Sequence, residues 1–243
     1  MKNITALATG ALAVVAVSGA LTACTPTTEK PYTGTAPATP TVWTGSPAPA
    51  QEGGPGQASE AAGEATTQGA TLNQYIVDNK IAEIPFKKGD AGAPTIEFPF
   101  PADWRSAGDQ TPDWAYGAIL YDKAPDPADP PFMYAIASKL TGNVDPNKIL
   151  DLASGQLDEL PDFKSAGGPP ERTKLDGYDA VSYGGTYTWE GKSRAVGQET
   201  IVIPGKDALF VLQLNGEAPK GQEQAVRDAA DLIRAKTQIT VPS

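Results

Sequence analysis

The sequence predicts an α+β domain, a largely antiparallel β-sheet flanked by helices, on three observations. Tyr178 to Trp189, Ser193 to Ile203 and Ala208 to Asn215 are consecutive runs rich in the branched and aromatic residues that strands favour. Glu190-Gly191-Lys192 and Pro204-Gly205-Lys206-Asp207 join them, and such short glycine-bearing connections favour sequential antiparallel pairing. Helical patterns stand at the start, middle and end of the same region, which places helices against a sheet rather than between parallel strands. The sequence has no internal repeat.

Taken in order, the ordered domain is 71–243. Thr71 with Gln74 has the form of a capping box, and Leu72, Tyr75 and Ile76 give a short helix one apolar stripe. Ile84 to Lys87 reads as a strand followed by a turn at Gly89-Asp90, and Thr95 to Phe100 as a second strand closed by Pro101 and capped with Trp104. Trp114 to Tyr121 and Phe132 to Leu140 alternate like strands around a rigid acidic loop from Pro125 to Pro131. Asp145-Pro146 supplies an N-cap and a first-turn proline, after which Ile149, Leu152, Ala153, Leu157 and Leu160 hold one apolar face until Pro161. In the Tyr178 to Trp189 strand, Val181, Tyr183, Tyr187 and Trp189 share one face. Ser182, Gly184, Thr186 and Thr188 share the other, a small polar face with room for a helix or a groove. A last helix from Gly221 to Lys236 turns Ala225, Val226, Ala229, Ala230 and Ile233 toward a core.

Residues 1–23 read as a secretory signal: Lys2, an apolar run from Ala6 to Ala20 too short for a stable span, then small residues. Leu21-Thr22-Ala23-Cys24 is the pattern of a bacterial lipoprotein signal, with cleavage between Ala23 and Cys24 and a diacylglycerol on the Cys24 thiol. Cys24 is the chain's single cysteine, so it has no partner for an internal disulfide. Two or three acyl chains anchor firmly where one is marginal. The expected location is therefore the outer face of the plasma membrane or the cell envelope, reached by export. From Thr25 to about Ala70 the chain is rich in Pro, Thr, Ala and Gly, a composition expected to stay disordered and to span on the order of 40 Å. Pro37, Thr39, Pro40 and Thr41 form a candidate O-glycosylation stretch within 24–70.

Composition bounds the chemistry. Among 243 residues there are 19 basic and 29 acidic side chains, a net charge of −10, which argues against nucleic-acid binding. The chain has no histidine, and acylation would consume its one thiol. Ser-His-Asp and Cys-His catalysis, imidazole acid–base work and the usual zinc sites are thereby excluded. No Gly-rich phosphate cradle occurs. Ser138 and Lys139, adjacent on a strand, point to opposite faces and form no dyad. Asp122, Asp126 and Asp129 crowd one loop but lack the spacing and central glycine of a calcium loop, which leaves a solvated turn. The expectation is a non-enzymatic protein with no cofactor and no metal.

Aromatic residues carry the candidate site. Trp104, Trp114, Tyr116, Tyr134, Tyr183, Tyr187 and Trp189 fall on or beside strands, and aromatics with a polar tip suit sugar stacking, lipid contact and protein interfaces alike. The candidate ligand-binding residues are Trp104, Trp114, Tyr116 and Tyr134.

Trp114-Ala115-Tyr116-Gly117-Ala118-Ile119, Ser138-Lys139-Leu140-Thr141-Gly142-Asn143-Val144-Asp145-Pro146, and Val202-Ile203-Pro204-Gly205 leading to Val211-Leu212-Gln213-Leu214-Asn215 resemble the LpqN/LpqT family of actinobacterial lipoproteins. The resemblance covers Thr71 to Val241. It implies a Mog1p/PsbP-like sheet sandwiched by helices, and Phe98-Pro99-Phe100-Pro101-Ala102-Asp103-Trp104 resembles the opening of PsbP-like domains. It supplies no catalytic motif. It implies an acylated protein of a mycolate-type envelope, with roles in lipid handling or protein contacts. Two functions follow as expectations. A module that binds an envelope glycolipid, or helps move it beside a membrane lipid-export protein, predicts an apolar groove ending in aromatic and polar groups. An interaction module docking a membrane or host protein predicts a filled interior and a flat exposed aromatic patch.

Overall fold

The computed structural model describes residues 71–242. The signal segment, Cys24 and the stretch to residue 70, with the expectations attached to them, lie outside these residues.

Helix α1 (Leu72–Asp78) starts as its sequence directs: Thr71 Oγ1 accepts from the Gln74 backbone N–H at 3.2 Å. Only half of the capping box forms, because the Gln74 side chain donates forward to Asp78 instead of back to the cap. Strand β1 (Ala82–Pro85) begins two residues earlier than expected and lies on an edge, where a proline is tolerated. Strand β2 (Thr95–Glu97) is half its expected length, because Pro99 and Pro101 follow it and cannot donate to a ladder. Trp104 opens a strand, β3 (Trp104–Ser106), rather than capping one. Strand β4 (Gly117–Tyr121) starts three residues late, since Ala115 N–H closes a turn onto the Pro112 carbonyl. Strand β5 (Phe132–Thr141) follows the expected pattern.

Asp145 caps α2 (Pro146–Leu152) through Asn147 N–H at 2.8 Å. The single helix expected to reach Leu160 breaks at Ser154, and a short α3 (Gly155–Asp158) follows at a glycine, the weakest helix former after proline. The short polar strands β6 (Lys164–Ser165) and β7 (Glu171–Leu175) precede three long ones: β8 (Tyr178–Trp189), β9 (Lys192–Pro204) and β10 (Leu209–Pro219). Asp176-Gly177 and Glu190-Gly191 both take positive φ, 49° and 83° and then 48° and 75°. These are the two-residue turns whose hand matches strand twist. Helix α4 (Glu223–Lys236) and a last strand β11 (Gln238–Thr240) complete the chain.

Nine strands form one antiparallel sheet along the path β3-β4-β5-β10-β9-β8-β6, with β1 beside the far half of β5 and β7 beside the near half of β8. β2 and β11 pair separately. One sheet face carries Ala135, Ala137, Ile201, Ile203, Leu212 and Leu214 against Ala229 and Ile233 of α4 and against Ile96 and Ile239 of the small sheet. Ser182, Gly184, Thr186 and Thr188 of β8 lie on this same side of the sheet, and α4 fits over β10 where Gly216 lacks a side chain: a Cβ there would stand 2.5 Å from Val226 Cγ1. On the opposite face, Leu72, Ile76, Ile149 and Leu150 of α1 and α2 seal Leu140, Val181, Val202, Leu209 and Val211. No helix among the described residues is long and apolar enough to cross a membrane.

Leu212 is fully buried, so Leu212→Ala should lower stability by about 3 kcal/mol in urea unfolding. Gly185→Ala would drive a Cβ against the Lys164 carbonyl. It should strip protection from β6 in hydrogen exchange before β9 and β10 are affected.

Candidate functional site

The face that α1 and α2 cover changes character along its strands. On β10 it presents Leu209, Val211, Gln213, Asn215 and Glu217. The first two lie beneath the helices and the last three are polar. Their cross-strand partners on β5 are Leu140, Ser138, Ile136, Tyr134 and Phe132, and on β9 Pro204, Val202, Thr200, Gln198 and Val196. The helices seal the half nearest Leu140. Over β4, β5 and β10 the other half leaves Phe132, Tyr134 and Ile136 half-buried, while Gln213, Asn215 and Glu217 of the polar row are themselves buried.

An aromatic group borders this open half. Trp114, from the loop before β4, stands edge-on to Tyr134 with ring centres 5.4 Å apart at 79°. Phe132 stacks on the same ring, 6.0 Å away at 16°. Beside them Asn215 Nδ2 donates to Gln213 Oε1 at 3.4 Å. Gln198 Nε2 donates to the Ala153 carbonyl at the end of α2, 3.2 Å away, leaving its Oε1 without a partner.

A buried ion cluster closes the end away from the helices. Arg194 Nε donates to Glu217 Oε2 at 3.1 Å and its Nη1 to Asp129 at 2.7 Å. The second bond straps the acidic loop 122–131 to the sheet. Burial works against the charge on Arg194, but the bond to Asp129 and the two nearby carboxylates outweigh it and hold the pKa above its ordinary value. Burial also pushes Glu217 up, only partly offset by its bond from Tyr187 and by Arg194. The Tyr187 and Tyr134 hydroxyls are pushed up as well, first by burial and then by the Glu217 charge, so both rings stay neutral donors.

At the helix end, a cleft of about 10 Å³ is lined by Ile136, Ser138, Thr200, Val211 and Gln213. Glu83 lies on the same face, opposite Leu140. Burial raises its carboxyl to about pKa 7, and the nearby Ser138 hydroxyl offsets little of that. The two do not meet in a hydrogen bond of proper geometry: Glu83 Oε1 and Ser138 Oγ are both buried and without partners.

Of the four candidate residues, the structure brings Trp114 and Tyr134 together here and places the other two across the sheet. Trp104 is buried in the α4-side core, tilted against Tyr121 at 5.5 Å. Tyr116 packs edge-on to Phe86 and Phe98, and its hydroxyl donates to the Ile96 carbonyl at 3.5 Å. The polar row was missed, although β10 signals it. After Val211 the odd positions turn to Gln213, Asn215 and Glu217 while the even ones stay apolar. Asp122, Asp126 and Asp129 turn to three different partners, Arg105, the Ala128 N–H and Arg194. Among the described residues no group of three acidic, Cys or His side chains could hold a metal.

The family model described as probable lipoprotein LpqN matches residues 68–240. The chain belongs to this LpqN lipoprotein family. It is 45% identical over 170 residues to lipoprotein LpqN of Mycobacterium tuberculosis (strain ATCC 25618 / H37Rv), covering 70% of this chain and 74% of that one. The crystal structure of LpqN, described as involved in cell envelope biogenesis of Mycobacterium tuberculosis, aligns with TM-score 0.67 at 44% identity over 71% of this chain and 98% of its own. Cyanobacterial PsbP from Synechocystis sp. PCC 6803 aligns with TM-score 0.42 at 10% identity, over 74% of this chain and 99% of its own. Membership in the LpqN family makes the protein an envelope lipoprotein with an α+β fold.

The native protein resists ionising Glu83 and the unfolded chain does not, so the unfolded state binds fewer protons between about pH 4.5 and 7. Stability contributed by the neutral carboxyl should fall as pH rises through that window, by about 3 kcal/mol in full. Glu83→Gln should lack this component when urea unfolding is compared across the same pH range.

Proposed function

We propose that the protein is a lipid-anchored binding module whose open sheet half receives the sugar headgroup of an envelope glycolipid, beside a membrane lipid-export protein. The observation that supports this most is the meeting of the half-buried Trp114–Tyr134–Phe132 aromatic group with the Gln213–Asn215 amide pair, each amide 8% exposed, on the half of the face away from α1 and α2. An aromatic ring takes the C–H face of a sugar, and neighbouring amides, each both donor and acceptor, take its hydroxyls. Ile136 and Leu120 extend the apolar surface for the first part of an acyl chain. Arg194 holds Glu217 in place, so the acceptor row needs little ordering on binding. The role is binding without chemistry, in keeping with a chain that has no histidine. Acylated Cys24 holds the domain at the outer face of the membrane, where such lipids emerge.

A protein partner is the second reading. The small volume of the cleft supports it, since drug-sized ligands usually occupy pockets of about 300 Å³ or more. In that reading the same half-buried aromatics serve as interface anchors.

Titration with an n-alkyl glucoside below its micelle threshold separates the two. Saturable binding is expected, weakened roughly tenfold by Trp114→Ala or Tyr134→Ala. Absence of saturable binding, together with crosslinking through Trp114 to one membrane protein in cells, would replace this reading with the second. Cys24→Ala should release the mature protein from the membrane fraction. If it stays bound, the anchor lies elsewhere.

A further inference from the structure

We propose that the chain's own tether occupies the open half of the face that α1 and α2 share: Trp43, with Val42 before it, docks against Trp114 and Tyr134 until a ligand displaces it. The displacement rests on the glycolipid reading; the docking does not.

The surface is an apolar patch of sheet. Ala118 and Leu120 of β4 stand directly opposite Tyr134 and Phe132 of β5, and Trp114 closes on Tyr134 from the side. With Ile136 these side chains are all half-buried, while α1 and α2 pack on Leu140, Val202 and Val211 at the other half. A contiguous patch of this kind marks a contact site.

The occupant is argued from the chain that precedes Thr71. Residues 34–70 contain two large apolar side chains, Val42 and Trp43, and they are adjacent. Residues 34–51 carry no charged side chain, in a protein that is 20% charged, so docking them buries no ion. Thr41-Val42-Trp43-Thr44 consists of the residue types that lie well on a sheet. Pro40 and Pro47 on either side lower the entropy lost on binding.

Reach decides whether the two can meet. Thr71 opens α1, which packs through Leu72 and Ile76 on the same side of the sheet as the patch. Tyr134 lies six residues along β5 from Leu140, which α1 and α2 cover, or about 20 Å at strand rise. Trp43 is 28 residues before Thr71, and a Gly-rich chain of that length has a root-mean-square span of about 30 Å. The two lengths agree to within about the width of a helix. A tethered group whose span matches its site reaches a local concentration on the order of millimolar. A Kd of about 1 mM for the free peptide then keeps the patch covered about half of the time or more.

Hydroxyl-radical footprinting of the full chain carrying Cys24→Ala, free of the membrane, reads Trp43 and Trp114 separately. Trp114 should oxidise about twofold to fourfold more slowly than when Trp43→Ala is added, a change outside the folded domain. Trp43 should in turn oxidise more slowly than in Trp114→Ala or Leu120→Ser. Both protections should survive tenfold dilution, as contact within one chain does. Equal Trp114 oxidation with and without Trp43 would overturn the docking, and protection lost on dilution would assign the patch to a second copy instead. An n-alkyl glucoside should unmask Trp43 and bind about twofold to fourfold more tightly to Trp43→Ala. Equal glucoside affinity in the two chains would overturn the displacement. Reciprocal protection with no saturable glucoside binding would keep the docking and overturn the glycolipid reading.

Discussion

β10 is hydrogen-bonded to β5 on one side and β9 on the other, and a slip of either pairing by one residue would turn Leu212 and Leu214 outward and drive Gln213 and Asn215 into the α4-side core. That register settles which half of the molecule is oily. It puts Ile201, Ile203 and Leu212 beneath α4, and it lines up Tyr134, Asn215 and Gln198 in one cross-strand row on the other face. The short connection from β9 to β10, closed by the Gly205 N–H on the Ala208 carbonyl, helps fix the second pairing, and the two-residue turns at Asp176-Gly177 and Glu190-Gly191 do the same for β7–β8 and β8–β9. Helices α1 and α2 then meet a face that is apolar only as far as Val211. The polar residues beyond give no helix an apolar surface to cover.

The Arg194–Glu217–Asp129 cluster shows what that uncovered half requires. Burying a charge is costly unless it is paired, and removing one partner of such a pair typically costs about 3–5 kcal/mol. A row of aliphatic residues would have packed at least as well. The ions do something an apolar row could not: they fix the acidic loop to the sheet through Asp129 and hold Glu217 beside Tyr187. The open surface is bounded at both ends, by this strap and by the helix pair. It is shaped before any ligand arrives.

Much of the fold was legible because its signals are local and periodic. The three long strands, the cap at Asp145-Pro146 and the apolar stripe of α4 each announce themselves within a few residues, and the antiparallel order follows from short connections. β6, β7 and β11 were not legible. Glu171-Arg172-Thr173-Lys174 reads as solvated loop, since an edge strand of five residues owes its structure to its neighbour and not to its own composition. For the site, aromatic identity was visible but sidedness was not. Trp104 and Tyr116 look as eligible as Trp114 and Tyr134, and only the pairing of β3 and β4 and the turn at Pro112 send them to opposite faces. The polar row on β10 was readable from its alternation, had the change of character at Gln213 been weighed.

Sheet register and the buried strap converge on one surface that brings aromatic faces and amides together. The most direct test is native mass spectrometry of the protein purified from its own envelope with lipids retained, alongside Trp114→Ala. A discrete added mass matching a glycolipid, present in wild type and lost in the variant, is the expected result. A ligand-free mass for wild type, or an added mass that survives removal of Trp114, would contradict the assignment of that surface.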